Sequence, residues 1–258
     1  MIHAYFTNGM INNAEIFLRS LYKTNGDQFP VLLSTRDLTV GQMGDLHCLH
    51  PRLEIENETL DMDSLAKRAQ VSTKTLWKYR RQVENQYISP KNKVWKLMIA
   101  AEDRPRALYD VLQRGGNDYP LLHFDIDTLF RKDISPLLPH AMANECCLLL
   151  RPNIQPIKAR ITISTMTWRK TDNTMKFFER WFHWLDGCPP PFRPIGYGQT
   201  SCWFAFEELE KELVYYKLPP EWAYPGGNKP SNFIWTGAVH KLSKKDCAIK
   251  FEKEMQAL

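Results

Sequence analysis

The chain has 258 residues, 43% hydrophobic and 12% aromatic, a globular composition that can bury a sizeable core and excludes disorder as the main state. Its net charge of +5 is mildly basic, well short of the charge density of a dedicated nucleic-acid binder. The six cysteines (Cys48, Cys146, Cys147, Cys188, Cys202, Cys247) contain no CxxC pair, which excludes a zinc ribbon or a thioredoxin-like motif. The first residues, MIHAYFTNGMINNAEIF, lack the basic and apolar regions of a signal peptide, and apolar runs such as Cys146–Leu150 are too short to span a bilayer. The expectation is a cytoplasmic protein in a reducing compartment, with free buried thiols.

The predicted elements begin with a strand at Ile2–Thr7 and a turn at Asn8-Gly9. A helix follows, capped by Asn12 or Asn13, with Ile16, Phe17, Leu21 and Tyr22 on one face, and closed at Asn25-Gly26-Asp27. Strands are expected at Val31–Thr35 and Leu53–Glu56. Strand, helix, strand, loop, strand is the order of a parallel sheet with covering helices. A basic helical insert is expected at about 61–89. Within it, Ser64–Arg81 has the look of a helix-turn-helix, with Ala69 at the tight point, Val71 and Leu76 inward, and Lys74, Lys78, Arg80 and Arg81 outward. No third helix is in view to complete such a core. The favoured reading is a solvated basic face without a specific nucleic-acid partner; a DNA-binding regulator is the alternative.

Lys93–Arg114 reads as a long helix interrupted at Pro105 and ended by Gly115-Gly116. Tyr119–Phe124 is a near-continuous apolar run of the kind found in central parallel strands. Further strands are expected at Cys146–Leu150 and Ile161–Thr167. Next comes an amphipathic helix at Thr171–Leu185, with an aromatic inner face of Phe177, Phe178, Trp181, Phe182 and Trp184. A helix at Thr200–Glu212 and strands at Leu213–Lys217 and Phe233–Thr236 complete the pattern. With no repeat or linker, residues 1–258 read as a single domain.

The chemistry concentrates at Asp125-Ile126-Asp127, directly after the apolar run. Two carboxylates spaced i, i+2 leave one face of an extended chain, and burying both unpaired would cost several kcal/mol or force protonation. A divalent cation resolves that conflict. At the carboxyl end of a central strand, such a cation would bridge the carboxylates to a diphosphate. The apolar flanks Leu121–Phe124 and Thr128–Phe130 argue against a merely solvated turn. His3, His47, His50 and His183 show no partner spacing, and His123 reads as a packed core residue. Asp172, Glu207 and Glu208 read as solvated helix carboxylates rather than a catalytic base. Trp203, Trp222 and Trp235 are the better candidates for stacking on a sugar.

The segment Leu121–Pro136, with its DxD pair and the following Lys132-Asp133-Ile134-Ser135-Pro136-Leu137, resembles the DxD region of GT-A-type glycosyltransferases. It is closest to the family 8 galactosyl- and glucosyltransferases and related nucleotide-diphospho-sugar transferases. The resemblance implies an α/β GT-A fold, a mixed, mostly parallel central sheet with helices on both faces. It implies a hexosyltransferase that moves a sugar from a nucleotide-diphosphate donor, a UDP-sugar being favoured, to a glycan or lipid-linked saccharide acceptor, as in polysaccharide biosynthesis. By the same resemblance Asp125 and Asp127 hold Mn²⁺ or Mg²⁺ with His240 as third ligand. Thr7, Asn8, Lys96 and Lys241 contact the donor, Ile161–Met166 lines the sugar and acceptor pocket, and Gln199, standing where the family has its Asp-Gln pair, is catalytic together with Asp125 and Asp127. Contact between the basic insert and anionic lipid would place the protein at the inner face of the membrane.

The sequence departs from the family pattern in three places. Gly198 stands where an Asp is usual before Gln199. Ile234 stands where the family's metal-binding His is expected, which shifts that role to His240. The insert is more helical and basic than usual. A GT-A-like protein that binds sugar without catalysis is the remaining alternative.

Overall fold

The computed structural model describes residues 1–7, 10–59, 104–115, 119–188, 197–222 and 232–235, with the single positions 63, 74, 253 and 256. In chain order the strands are β1 (Ile2–Thr7), β2 (Val31–Arg36), β3 (Leu53–Glu58), β4 (Leu121–Phe124), β5 (Leu129–Phe130), β6 (Cys146–Leu150), β7 (Ile161–Trp168), β8 (Tyr215–Lys217) and β9 (Ile234–Trp235). The helices are α1 (Ile11–Asn25), α2 (Val40–His47), α3 (Arg104–Arg114), α4 (Leu138–Ala143), α5 (Asp172–Asp186) and α6 (Tyr197–Leu209). The expected strands are all present, most within a residue or two of their expected bounds. The helix expected over Lys93–Arg114 is described only from Arg104 onward.

Seven strands form one sheet in the order β3-β2-β1-β4-β7-β6-β8. Every neighbouring pair is parallel except those of β7, which runs antiparallel to both β4 and β6. This is the mixed, mostly parallel sheet expected. From β1 the chain moves outward through β2 to β3, then returns to place β4 on the other side of β1. The sheet therefore has a topological switch between β1 and β4, and the crevice at their carboxyl ends is where such sheets bind ligands.

Each face carries its own core. On one face Phe6, Leu33, Leu122, Phe124 and Leu149 pack with Phe17, Leu18 and Leu21 of α1 and Leu46 of α2. On the other, Leu121, Leu148, Met166 and Trp168 pack with Leu108 and Leu112 of α3, Phe177, Phe178 and Trp181 of α5, and Phe206 of α6. Strand alternation explains the split, since odd and even residues of β4 leave opposite faces.

Several local expectations are corrected. The N-cap of α1 is Met10, without a side-chain cap bond, rather than Asn12 or Asn13, and Tyr22 is exposed while Ala14 and Leu18 take the inner face. The close of α1 is as expected: Gly26, at φ 59°, donates its N–H to Tyr22 O at 2.8 Å. The helix α2 was not foreseen from the sequence. Helix α6 starts at Tyr197, before the expected Thr200. Of the described thiols, Cys146, Cys147 and Cys202 are buried but Cys48 is exposed, and these four form no disulfide. Among the described residues no helix is long and apolar enough to cross a membrane.

Candidate functional site

Strand β4 delivers the acidic pair to the switch crevice. Its four residues are all buried, and the chain leaves the sheet at Asp125, whose N–H donates to Ser164 O on β7 at 2.9 Å. Thr128 N–H then donates to Asp125 O at 3.0 Å, closing a turn over residues 125–128. The two carboxylates therefore stand on a turn, and the same-face geometry of an extended strand does not apply to them. They differ in environment: Asp127 is 7% exposed, whereas the Asp125 side chain is 23% exposed.

Both ends of the turn are pinned. Opposite Asp125, the β6–β7 pairing shifts register between Leu148 and Leu149, so residues 163–165 bulge beside the turn. Bulges of this kind recur next to active sites because they re-aim the backbone. Beyond the turn, β5 pairs antiparallel with β9, Leu129 opposite Trp235 and Phe130 opposite Ile234. Two polar residues of α1 anchor the same stretch from below. Phe130 N–H donates to Ser20 Oγ at 3.1 Å, and Ile134 N–H donates to Asn25 Oδ1 at 2.8 Å, all within the core. The Lys132–Leu137 part of the motif is structural: Asp133 accepts from Ser135 N–H at 2.9 Å, Ile134 is fully buried, and Pro136 opens a short 3₁₀ turn.

Asp125 has a partner the sequence did not reveal. Arg104, at the start of the described part of α3, places Nη1 2.7 Å from Asp125 Oδ1, with both side chains largely shielded from water. His123, expected in the core, is fully buried. His3 is buried against it, their Nδ1 atoms 3.1 Å apart. Burial lowers the His3 pKa to about 3, and the same desolvation lowers that of His123 well below the usual imidazole value.

Thr7 ends β1 at the same edge of the sheet as the turn, because β1 and β4 are parallel and adjacent. Gln199 lies in the first turn of α6, which packs on β7. That turn is fixed by α5: Trp181 Nε1 donates to Gly198 O at 3.1 Å, and Tyr197 Oη donates to Trp184 O at 2.9 Å. Asp125, Asp127 and Thr7 thus share the crevice edge. Asn8, Lys96, His240 and Lys241 lie outside the described residues, as does the basic segment 64–81 apart from Lys74, which is helical and exposed.

Two sugar-stacking candidates are ruled out by burial. Trp203 and Trp222 are 4% and 5% exposed, the first in the α6 core and the second stacked on Phe233 at 4.1 Å. Glu207 and Glu208 are surface ion-pair partners of Arg160 and Arg180, and Asp172 is an exposed first-turn residue of α5, as expected of helix carboxylates.

The donor set suits a hard divalent cation: two carboxylates on one tight turn, one of them buried. Among the described residues no group of three or more His, Cys, Asp or Glu side chains that could hold a metal ion is assembled.

No family model matches the chain, and no curated protein matches it in sequence. Solved structures match its fold. The galactosyltransferase LgtC, solved with donor and acceptor sugar analogues, aligns with a TM-score of 0.57 at 10% identity, over 100% of this chain and 95% of its own. Mouse xyloside xylosyltransferase 1 aligns at 0.54 and 9% identity, over 94% of this chain and 98% of its own. GlyE of Streptococcus pneumoniae TIGR4 aligns at 0.59 and 10% identity, over 98% of this chain and 59% of its own. These likenesses establish the fold: it is that of GT-A glycosyltransferases.

Proposed function

We propose that the protein is a metal-dependent glycosyltransferase, moving a hexosyl group from a nucleotide-diphosphate sugar to a glycan or lipid-linked saccharide. The observation that carries this reading is the Asp125–Asp127 turn, seated at the switch crevice of a GT-A sheet. Neighbouring folds named as galactosyl- and xylosyltransferases support it. A UDP-sugar is the favoured donor. A cytoplasmic protein working at the inner face of the membrane fits a lipid-linked acceptor.

Transfer breaks the bond between the sugar and a nucleoside diphosphate, and negative charge grows on the departing phosphate. Mn²⁺ or Mg²⁺, held by Asp125 and Asp127, supplies positive charge to that leaving group when bound. The chain's own contribution is placement. The Ser164 carbonyl and the closed turn fix the backbone of Asp125, and Arg104 pairs with its carboxylate until a cation takes its place. Thr7 is proposed to border the nucleotide, and Gln199, in a helix turn held by the α5 contacts, is proposed to face the sugar and acceptor. His240 and Lys241 are proposed to complete the cation and phosphate contacts.

The test is a thermal-shift panel of nucleoside diphosphates with and without Mn²⁺. A nucleotide at ~100 Kd stabilises the fold by about 2.7 kcal/mol, and that shift is expected to require the metal. Asp127→Asn, nearly isosteric, should abolish the metal-dependent shift and leave the ligand-free melting point in place. Unchanged metal-dependent binding in this variant refutes the assignment.

A further inference from the structure

The two histidines behind the acidic turn have no part in the reading above. They sit in register on neighbouring parallel strands, His3 on β1 opposite His123 on β4, and both rings are fully buried. Their Nδ1 atoms are 3.1 Å apart, and His3 Nε2 lies 3.0 Å from Ser34 Oγ on β2. At the far end, His123 Nε2 has no hydrogen-bond partner among the described residues and lies 4.0 Å from Asp125 Oδ1. That distance is a charge–dipole contact, beyond hydrogen-bond length. The four groups form a line across three adjacent strands that ends at the carboxylate.

A bond between two ring nitrogens needs one N–H and one bare lone pair. Both rings are fully buried with no counter-charge within hydrogen-bond reach among the described residues, which disfavours an imidazolium. Each ring therefore carries one proton, and only two arrangements remain. In the first, His123 donates from Nδ1 to His3, and His3 donates from Nε2 to Ser34. His123 then turns a bare Nε2 lone pair toward the Asp125 carboxylate, two acceptors facing each other where water cannot intervene. In the second, Ser34 Oγ–H donates to His3 Nε2 and His3 Nδ1–H donates to His123 Nδ1. His123 then turns Nε2–H toward the carboxylate. Electrostatics at low local dielectric selects the second.

We propose that Ser34, His3 and His123 form a one-directional hydrogen-bond chain across β2, β1 and β4 that presents an N–H to Asp125 and orients this carboxylate for a divalent cation. The cation part rests on the metal-site reading of Asp125 and Asp127; the direction of the chain does not. The backbone of Asp125 is already fixed, so only rotation of its side chain is left to set. Arg104 holds Oδ1 from α3, and the His123 N–H borders the same oxygen from the sheet. The three residues are positioning residues, acting through Asp125.

Two measurements on the full chain test this. In ¹⁵N-histidine NMR, His3 is expected to carry its proton on Nδ1 and His123 on Nε2. A bare Nε2 on His123 overturns the chain, whatever the protein binds. The second measurement is calorimetric titration with Mn²⁺ alone, alongside urea unfolding, for the wild type, Ser34→Ala, His3→Asn and His3→Phe. Asparagine keeps a donor near the position of Nδ1; phenylalanine keeps the volume and loses the donor. Partners behind metal ligands typically shift affinity by about 10- to 100-fold. A loss of about 10-fold is therefore expected in His3→Phe and a much smaller one in His3→Asn, even if the phenylalanine variant is the more stable. Equal Mn²⁺ affinity in the two variants marks His3 as a packing residue and overturns the positioning role. A wild type with the expected tautomers but no Mn²⁺ binding removes the metal reading, and with it the cation role of the chain, and leaves its direction standing.

Discussion

Arg104 brings a positive charge to Asp125 before any cation arrives, so the two compete for one carboxylate. A partly shielded ion pair of this kind is worth about 1 kcal/mol. Arg104→Gln should therefore tighten binding of Mn²⁺ alone by about five-fold, measured by calorimetry; a weakening would mean that the arginine chiefly holds the carboxylate in place. His3 gives a second expectation at this scale. Its folded-state pKa is about 3 against 6.5 in the unfolded chain, so below pH 6.5 the unfolded state binds the extra proton. Stability from this group is complete above pH 6.5 and falls by about 1.4 kcal/mol per unit as pH drops toward 3. Urea unfolding between pH 7 and 5 should show a shallower acid loss in His3→Asn than in the wild type; identical slopes would place His3 outside the titrating set. The acidic pair was legible in the sequence because a buried strand runs straight into it. Arg104 was not, since one more arginine in a basic helical stretch carries no mark of its partner. His3 was invisible for a plainer reason: its partner lies 120 residues away.

Helix α1 does more than cover the sheet. Its buried Ser20 and Asn25 satisfy backbone N–H groups of the segment that leaves the acidic turn. Asn25→Ala would strand the Ile134 N–H in an apolar setting, at a cost of about 1–3 kcal/mol. The expected result is a lower urea midpoint together with weaker Mn²⁺-dependent nucleotide binding, because the same bond steadies the segment that leaves the acidic turn. Lost stability with unchanged binding would confine Asn25 to folding. Strands were legible because apolar runs bounded by turn residues leave few other readings, and the Thr171–Leu185 helix because its aromatic stripe has helical period. Helix α2 was hidden by Gly41 and Gly44, which read as breakers. It forms because Thr39 and Gln42 make a reciprocal cap and Leu46 reaches the core. The α1 start was misplaced because asparagines are good caps in general, and here the cap position is Met10, two residues before the first of them.

The two cores lie on opposite faces of one sheet, and neither can be exposed without freeing the strands that support the other. Phe17→Ala on the α1 face and Phe178→Ala on the α5 face should each cost about 3–5 kcal/mol. Each is expected to lower the midpoint of one shared calorimetric transition, by roughly 2–4 °C per kcal/mol. Two separable transitions, one moved by each variant, would show that the faces melt independently. The sheet plan was legible from the order of strands and helices. The place of β7 was not, because a strand buried along all eight residues carries no sign of its direction.

The seam between β1 and β4 also has a consequence in time. Pairing β1 with β2 closes a short loop through α1, whereas joining β1 to β4 closes one of about 120 residues. Loop-closure entropy must be met before such remote contacts give anything back, so remote pairings form late. The His3–His123 contact therefore belongs to the last steps of folding. Stopped-flow measurements on His3→Asn should find the refolding rate close to that of the wild type and the unfolding rate raised. A crevice assembled last is also the first to open, and the rate at which it parts would limit how long the protein holds a ligand bound across that seam.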